Sequence, residues 1–281
     1  MLRLHDIRRR FDRAARDFDT ADFVHAVTRE GLLTRLEPLL LQPTTILDLG
    51  SATGATGRLL RQRFKRAHVV SLDLSRAMLS MARRNRGWFS RSSYAQGDAH
   101  RLPFADSTFD LIVSNQLLPW APEPRPVFEQ VSRTLKKGGV FAFATLGPDS
   151  FREIERAWSA VDNLPHVNRF PDMHDIGDGL VRAGLADPVL DVDRLSVSYD
   201  DTDKLFADLT QVGGRNSLAA RTRGLVGRGR FQAMVDALST SRAGGSILLD
   251  LELVYGHCWG SGPKNDPGNY AIDANRIPLR R

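Results

Sequence analysis

The stretch DLGSATGATG, Asp48 to Gly57, decides the fold. It follows the apolar run TTILDL and precedes GRLLRQRF, which has helical spacing. Strand, glycine turn, helix is the opening of a βαβ unit. In such a unit the first turn lies at the carboxyl edge of the sheet, where ligands bind. Gly50 and Gly54 let the backbone come close to a ligand. The spacing is not the G-x-G-x-x-G of a dinucleotide loop, because Ala52 stands where a middle glycine is expected.

Outward from the loop the pattern repeats. HVVSLDL is the next strand and SRAMLSMARRN the next helix, with Ser75 as its N-cap. SSYAQGD is a short strand and FDLIVSN a buried one. RPVFEQVSRTL is a helix with Val127, Val131 and Leu135 on one face; KKGG ends it, and VFAFATL is a strand. Alternation of this kind predicts an α/β fold with a doubly wound, mostly parallel sheet. The N-terminal residues Ile7, Phe11, Ala14, Ala15 and Phe18 recur at helical spacing, and a second helix covers Ala21 to Leu36. After Leu146 the rhythm changes: a helix in PDSFREIERAWSAV, a loop in HVNRFPDMHDI, a helix in GDGLVRAGL and a strand in DPVLDVDRLSVSY. A helical insertion from Asp201 to Leu238 is broken at Gly213 and Gly214, and SILLDLELVYGHCW is a late strand.

The expected organisation is one domain over 1–260. It comprises N-terminal helices in 1–40, a cofactor-binding core in 41–147, loops and a helical insertion in 148–240, and a last strand in 246–259. A turn-rich tail occupies 261–281.

Composition bounds the function. Hydrophobic residues make up 42% and charged residues 26%, which is globular, and no apolar run approaches the roughly 20 residues of a membrane span. The single cysteine excludes an internal disulfide, and the seven histidines lack metal-ligand spacing, so no metal is expected. The net charge of +6 suits an acidic partner, although on its own an arginine-rich composition is the stronger explanation. The Arg-rich start resembles a mitochondrial presequence, but Asp6, Asp12 and Asp17 argue against that, and the chain reads as cytoplasmic.

Asp48 gives the loop its chemistry. A carboxylate about 4 Å from a pyrophosphate costs roughly 1 to 4 kcal/mol, so the acid disfavours NAD. It favours a cationic ligand without phosphate, and S-adenosyl-L-methionine carries a sulfonium and an ammonium. Asp73, with Leu74 beside it, ends the next strand about 20 residues on, the position of a carboxylate that accepts both ribose hydroxyls. Asp98 ends the third strand, placed to accept a hydrogen bond from the adenine amino group, with the Ala99 backbone nearby. Any one of these acids alone reads as a helix-capping loop aspartate; three at successive strand ends point to a cofactor.

ILDLGSATGATG, VVSLDLS, QGDAHRLPFADSTFDLIVSN and LKKGGVFAFATL together resemble the ordered motifs of the class I S-adenosyl-L-methionine-dependent methyltransferases, from Thr44 to Leu146. That resemblance implies a Rossmann-like, seven-stranded sheet whose final strand is antiparallel. RRRFDRAARDFD, SNQLLPW, TLGPDSFREIERAW, HVNRFPDMHDI, DLTQVGGRNSL and GLVGRGRF are similar to the malonyl-acyl carrier protein O-methyltransferases of biotin synthesis. The resemblance implies methyl transfer to the free carboxyl of a malonyl thioester on acyl carrier protein, with S-adenosyl-L-homocysteine as product. The chain departs from the pattern at Ala52, at Phe18 (where many relatives have a tyrosine near the cofactor), and at Gln116 and Pro119.

A carboxylate nucleophile is already ionised and needs no strong base, but it needs an arginine to hold it. Arg169 in HVNRFP is the first candidate, and Arg215 with Asn216 the second; a solvated loop residue is the plain reading of each. Phe170 and Phe18 are placed to close an apolar lid. Asn115 either borders the methyl-transfer site or caps the end of its strand. Arg221, Arg228 and Arg230 are candidates to receive an acidic carrier protein. SNQLLPW lacks the paired prolines of base-modifying methyltransferases, so nucleic acid is not the expected substrate. A related alternative is a protein arginine hydroxylase or non-catalytic assembly factor of respiratory complex I, which shares parts of GPDSFREI and LTQVGGRNS.

Overall fold

The computed structural model describes residues 3–87, 91–121, 123–214, 227–240 and 245–262. Its centre is a seven-stranded sheet in the order β3-β2-β1-β4-β5-β7-β6. The strands are β1 (Thr45–Leu49), β2 (His68–Asp73), β3 (Ser92–Gln96), β4 (Phe109–Asn115), β5 (Leu135–Leu146), β6 (Leu185–Tyr199) and β7 (Ile247–Gly260). β1 to β5 pair in parallel, and β7 inserts antiparallel between β5 and β6. The late strand expected from SILLDLELVYGHCW is β7.

The chain winds from β1 outward to β3, then returns to β4 on the other side of β1. The strand order therefore reverses between β1 and β4, and a crevice opens at their carboxyl ends. Alternation along the strands sends side chains to opposite faces. Leu47, Ile112, Phe141 and Phe143 pack on one face with α5 (Pro124–Thr134) and α7 (Met173–Arg182). Ile46, Val113, Val140 and Ala142 pack on the other with Leu32 and Leu36 of α2 (Phe23–Arg35) and its end, and with Leu60 of α3 (Ala55–Arg63).

Two smaller clusters matter for the site. α1 (Leu4–Ala14) lies over α4 (Arg76–Arg84), where Ala14, Ala15, Phe18 and Met78 are buried together. The other is formed by α6 (Arg152–Ser159), α8 (Thr202–Gln211) and α9 (Arg228–Thr240) on the long ends of β6 and β7, around Trp158, Leu205, Met234 and Leu249. Gly213, at φ +71°, stops the chain just after α8, where the sequence places a break.

Two boundaries differ from expectation. HVNRFPDMHDI is not all loop: α7 begins at Met173, because Asp172 caps it by accepting from the His174 N–H. KKGG is part of β5, not a helix end. Leu135 pairs with Phe109, and the Lys136 ammonium sits 2.7 Å from Asp110. Gly138, at φ +73°, absorbs the irregularity that follows.

Asp110 ties three strands together. One carboxylate oxygen accepts the Thr44 and Thr45 N–H groups at 2.9 Å and the Thr44 hydroxyl at 2.6 Å; the other takes Lys136. Burial alone would raise the carboxyl's pKa, but Lys136 and these donors outweigh it and hold the group well below the usual carboxylate range. The folded state therefore binds this proton less readily than the unfolded chain, and the stability it contributes is present above about pH 4 and lost as pH falls. Asp110→Asn should destabilise the fold by about 1 to 3 kcal/mol at pH 7 in urea unfolding. The difference from wild type should shrink in acid; a constant difference from pH 7 down to about 3 would contradict this account.

Candidate active site

The loop after β1 is hung on β2. The N–H groups of Gly50 and Ser51 donate to the Leu72 carbonyl at 2.9 and 3.0 Å. Gly50 has φ +77°, and a Cβ there would stand 2.6 Å from Leu117 Cδ1, so only glycine lets the loop pass the segment after β4. Gly54, at φ +81°, closes a turn onto the Ser51 carbonyl, and a Cβ on it would meet that of Ala82 in α4 at 2.9 Å. Gly54 thus serves the packing of the loop against α4, and it is not in the cleft wall.

Asp48 is placed differently from the sequence reading. Its carboxylate is 1% exposed, lies beneath the loop against Gly57, and does not line the cleft. Burial pushes its pKa up to about 7, with the Asp73 charge adding to the rise. At neutral pH it is partly protonated, so it cannot supply the full negative charge that the sequence argument gave it. Asp73 takes that place. Its two oxygens accept the Ala52 and Ser75 N–H groups, each at 2.8 Å, and it faces the cleft. Burial pushes its pKa up to about 6, against those two hydrogen bonds, so it is mostly ionised at pH 7.

The cleft gathers Phe18, Gly50, Ala52, Asp73, Leu74, Asp98, Ala99 and Asn115 on its walls. They come from the carboxyl ends of β1 to β4, with Phe18 and the apolar side of α1 as roof. Asp98 is fixed by the His100 N–H at 2.9 Å and its ring Nδ1 at 2.7 Å, on one oxygen. Asn115 Nδ2 donates to the His25 carbonyl at 2.9 Å, so its amide is a link to α2. Gln116 follows at φ +60°, a strained conformation for a residue with a Cβ.

A second cavity, about 540 Å³, adjoins the first and is mainly apolar. His25, Gln116 and Trp120 belong to the walls of both, so they form the partition. Phe18 packs edge-on to the His25 ring at 5.0 Å. Burial, with Arg29 adding to it, pushes the His25 pKa down to about 4, so the imidazole is neutral. His25 Nδ1, Asn115 Oδ1 and Gln116 Nε2 are buried without a protein hydrogen-bond partner. A ligand bearing both donors and acceptors fits these atoms, and the amino-acid end of S-adenosyl-L-methionine is such a group.

Arg169 is exposed and lies outside both cavity walls, although its neighbours Asn168 and Phe170 line the larger cavity. Phe170 and Phe18 are therefore in different cavities. Arg215, Asn216 and Arg221 fall outside the described residues. Arg228 and Arg230 are exposed, and Arg230 pairs with Asp162. Among the described residues, Arg10 is the arginine in the larger cavity's wall, and no lysine joins it. Asp208 in the same wall is held by Lys204 at 2.5 Å. Arg10 was missed in the sequence, yet it stands three residues after Ile7 and four before Ala14, both buried. That spacing puts it on the inward face of α1. His25 carried no sequence signal. Among the described residues no cluster of three or more His, Cys, Asp or Glu is placed to hold a metal, and no helix is long and apolar enough to cross a membrane.

Comparisons agree with this geometry. The methyltransferase domain family model matches residues 47–143, from β1 into β5. A solved structure, the YcgJ protein of Bacillus subtilis, superposes with a TM-score of 0.61 over 85% of this chain and 100% of that one, at 16% identity. At that identity the likeness speaks for the fold, which is that of the Rossmann-like class I methyltransferases. The malonyl-acyl carrier protein O-methyltransferase of Laribacter hongkongensis is 39% identical, covering 90% of this chain and 88% of the relative. The enzyme of the same name from Gallionella capsiferriformans is 35% identical, with 95% and 94% covered. With identity of 35–39% over 90% or more of its length, this chain belongs to the malonyl-acyl carrier protein O-methyltransferase family and is an S-adenosyl-L-methionine-dependent O-methyltransferase.

Proposed function

We propose that the enzyme methylates the free carboxylate of malonyl-acyl carrier protein, a step of biotin synthesis, in the cytoplasm. The observation that carries this reading is the partition of His25, Gln116 and Trp120 between a cleft walled by the strand-end acids Asp73 and Asp98 and an apolar cavity whose described wall holds one arginine. When bound in the cleft, S-adenosyl-L-methionine supplies an electrophilic methyl on sulfur, and S-adenosyl-L-homocysteine remains. Asp73 would accept its ribose hydroxyls and Asp98 its adenine amino group, with Gly50, Leu74 and Ala99 close by.

The protein's own task is placement. The malonyl carboxylate is ionised at pH 7, so no general base is required. Arg10, on α1, is set to hold it by two parallel hydrogen bonds and turn one oxygen toward the partition. A neutral His25 does not compete with Arg10 for the carboxylate, and its buried Nδ1 remains available to a ligand. Apolar walls from Phe151, Trp158 and Leu251 exclude water and strengthen the Arg10 interaction. Arg169, exposed, and Arg228, beside the cavity residue Phe231, are then better suited to receiving the acidic carrier protein than to the carboxylate. The nucleophile needs no activation, so no metal takes part, and a chelator should leave turnover unchanged.

The test is transfer of labelled methyl to malonyl-acyl carrier protein, followed as methyl gain by mass spectrometry. Arg10→Ala should lower turnover by about 10-fold or more with little change in S-adenosyl-L-homocysteine affinity, while Arg169→Ala should mainly raise KM for the carrier. The reverse pattern would return the carboxylate to Arg169. No methyl gain on the carrier despite tight cofactor binding would sink the substrate assignment.

The cofactor site carries its own pH signature. Ribose hydroxyls bind the ionised form of Asp73, whose pKa stands at about 6 without ligand. Affinity for S-adenosyl-L-homocysteine should therefore rise as pH increases through about 6 and level off above 7. Asp73→Asn should bind at least about 10-fold more weakly at pH 8 and lose most of that rise. A calorimetric titration in which the variant keeps the wild-type pH profile would remove Asp73 from the role.

A further inference from the structure

Behind the cofactor loop, on the side away from the cleft, lies a third cavity of about 400 Å³. That volume is within the range of small-molecule sites, roughly 300 to 1,000 Å³. Its walls are Gly54, Gly57, Arg58 and Arg61 of the loop and α3, Ser71 of β2, Tyr94 of β3, and Arg86 after α4. Arg58, Arg61 and Arg86 meet in it, and no acid is among its described wall residues. Arg83 adds a fourth guanidinium, over the Tyr94 ring at 5.5 Å from its centre.

The arginines are built into the fold. Arg58 and Arg61 are three apart on α3 and so share a face. Arg58 Nη1 donates to the Thr53 carbonyl at 2.9 Å, which fixes the side chain along the loop. Arg61 Nη1 is buried and, among the described residues, has no hydrogen-bond partner. Tyr94 is also fixed, its hydroxyl donating to the Ala82 carbonyl at 3.2 Å. A solvated arginine face does not bury a guanidinium nitrogen without an acceptor, because that leaves a charged donor dehydrated and unpaired. Three like charges share this wall with no acid among its described residues; Asp48, behind Gly57, is buried and partly protonated and does not line the cavity. An oxyanion supplies what both observations lack: acceptors for the buried donor and opposite charge for the cluster. Guanidinium forks match phosphate oxygens in pairs.

We propose that this cavity is a binding site for a small phosphorylated ligand, held by Arg58, Arg61 and Arg86 and separate from the methyl-transfer cavities. The placement of Gly54 and Gly57 in its wall sets the ligand directly against the back of the cofactor loop.

Calorimetric titration of the full-length enzyme with pyrophosphate, against sodium chloride of equal ionic strength, tests the site. Saturable binding with a Kd below about 1 mM is expected. Arg61→Gln should weaken it by about 10-fold, and Arg86→Gln, an exposed change that leaves the core intact, should weaken it severalfold. Asp98→Asn, which lies in the cofactor cleft and bonds His100 rather than the loop, should leave it unchanged. Heat no greater than that of matched chloride, binding that survives Arg86→Gln undiminished, loss of binding in Asp98→Asn, or a response confined to a long polyanion such as heparin would each overturn the proposal.

Discussion

Everything in the cofactor cleft depends on the two hydrogen bonds that Asp73 accepts, one from the Ala52 N–H and one from the Ser75 N–H. One carboxylate at the end of β2 thereby fixes both the loop after β1 and the start of α4. With Ala52 held, Gly50 must pass within contact of Leu117, so the third wall, after β4, is positioned as well. The same group remains turned toward the cleft. A residue that both builds a cleft and faces into it is constrained twice. It must be an acid with two oxygens, and it must stay partly buried while charged.

That double demand explains the company Asp73 keeps. Asp48 is buried nearby, and the Asp73 charge adds to the rise that burial gives its pKa. Two full charges in this space would repel, so the more deeply buried one gives way and titrates near neutrality. Asp48 is then a support under α3, in contact with the position a Gly57 side chain would take. Glycine at 57 is required by this carboxylate, and Gly54 by Ala82. Much of the loop's glycine pattern therefore answers to packing behind the loop, and only Gly50 and Ala52 stand in the cleft wall.

How much was legible in the sequence follows the same line. The sheet, its winding and the strand-end acids were readable because periodicity and turn residues are local signals, each repeated along the chain. The place of Asp73, Asp98 and Asn115 in the cleft wall was readable because a strand end in a parallel sheet has only one place to be. The orientation of Asp48 was not readable, because residues one apart on a strand point to opposite faces and the register was unknown. Arg169 stands outside the cavity walls for a different reason. A loop residue's direction is set by tertiary contacts, and here its neighbours turn inward while it turns out. Arg10 was legible in principle. It interrupts the apolar stripe of α1 between Ile7 and Ala14, but three consecutive arginines concealed which one faces inward. His25 becomes significant only once α2 is packed beside β4, and nothing local announces that contact.

Ala52 shows how such a site tolerates an off-pattern residue. Its φ is +45°, in the left-handed region, where an L-residue is disfavoured by about 1 to 2 kcal/mol. Glycine would avoid that strain, but it would also leave an unfolded chain with more freedom to lose. The alanine methyl packs with the cluster of Ala14, Ala15, Phe18 and Met78 beneath α1. Burying one carbon of that size contributes about 0.8 kcal/mol, comparable to the strain. The methyl therefore fastens the roof helix to the loop that it covers. Arg10 rides on that helix, so the grip on α1 that Ala52 supplies at the cofactor cleft also steadies the guanidinium in the adjoining cavity. Strain in the loop and order in the roof are two sides of one contact, and the chain's departure from glycine at this position is explained by the second.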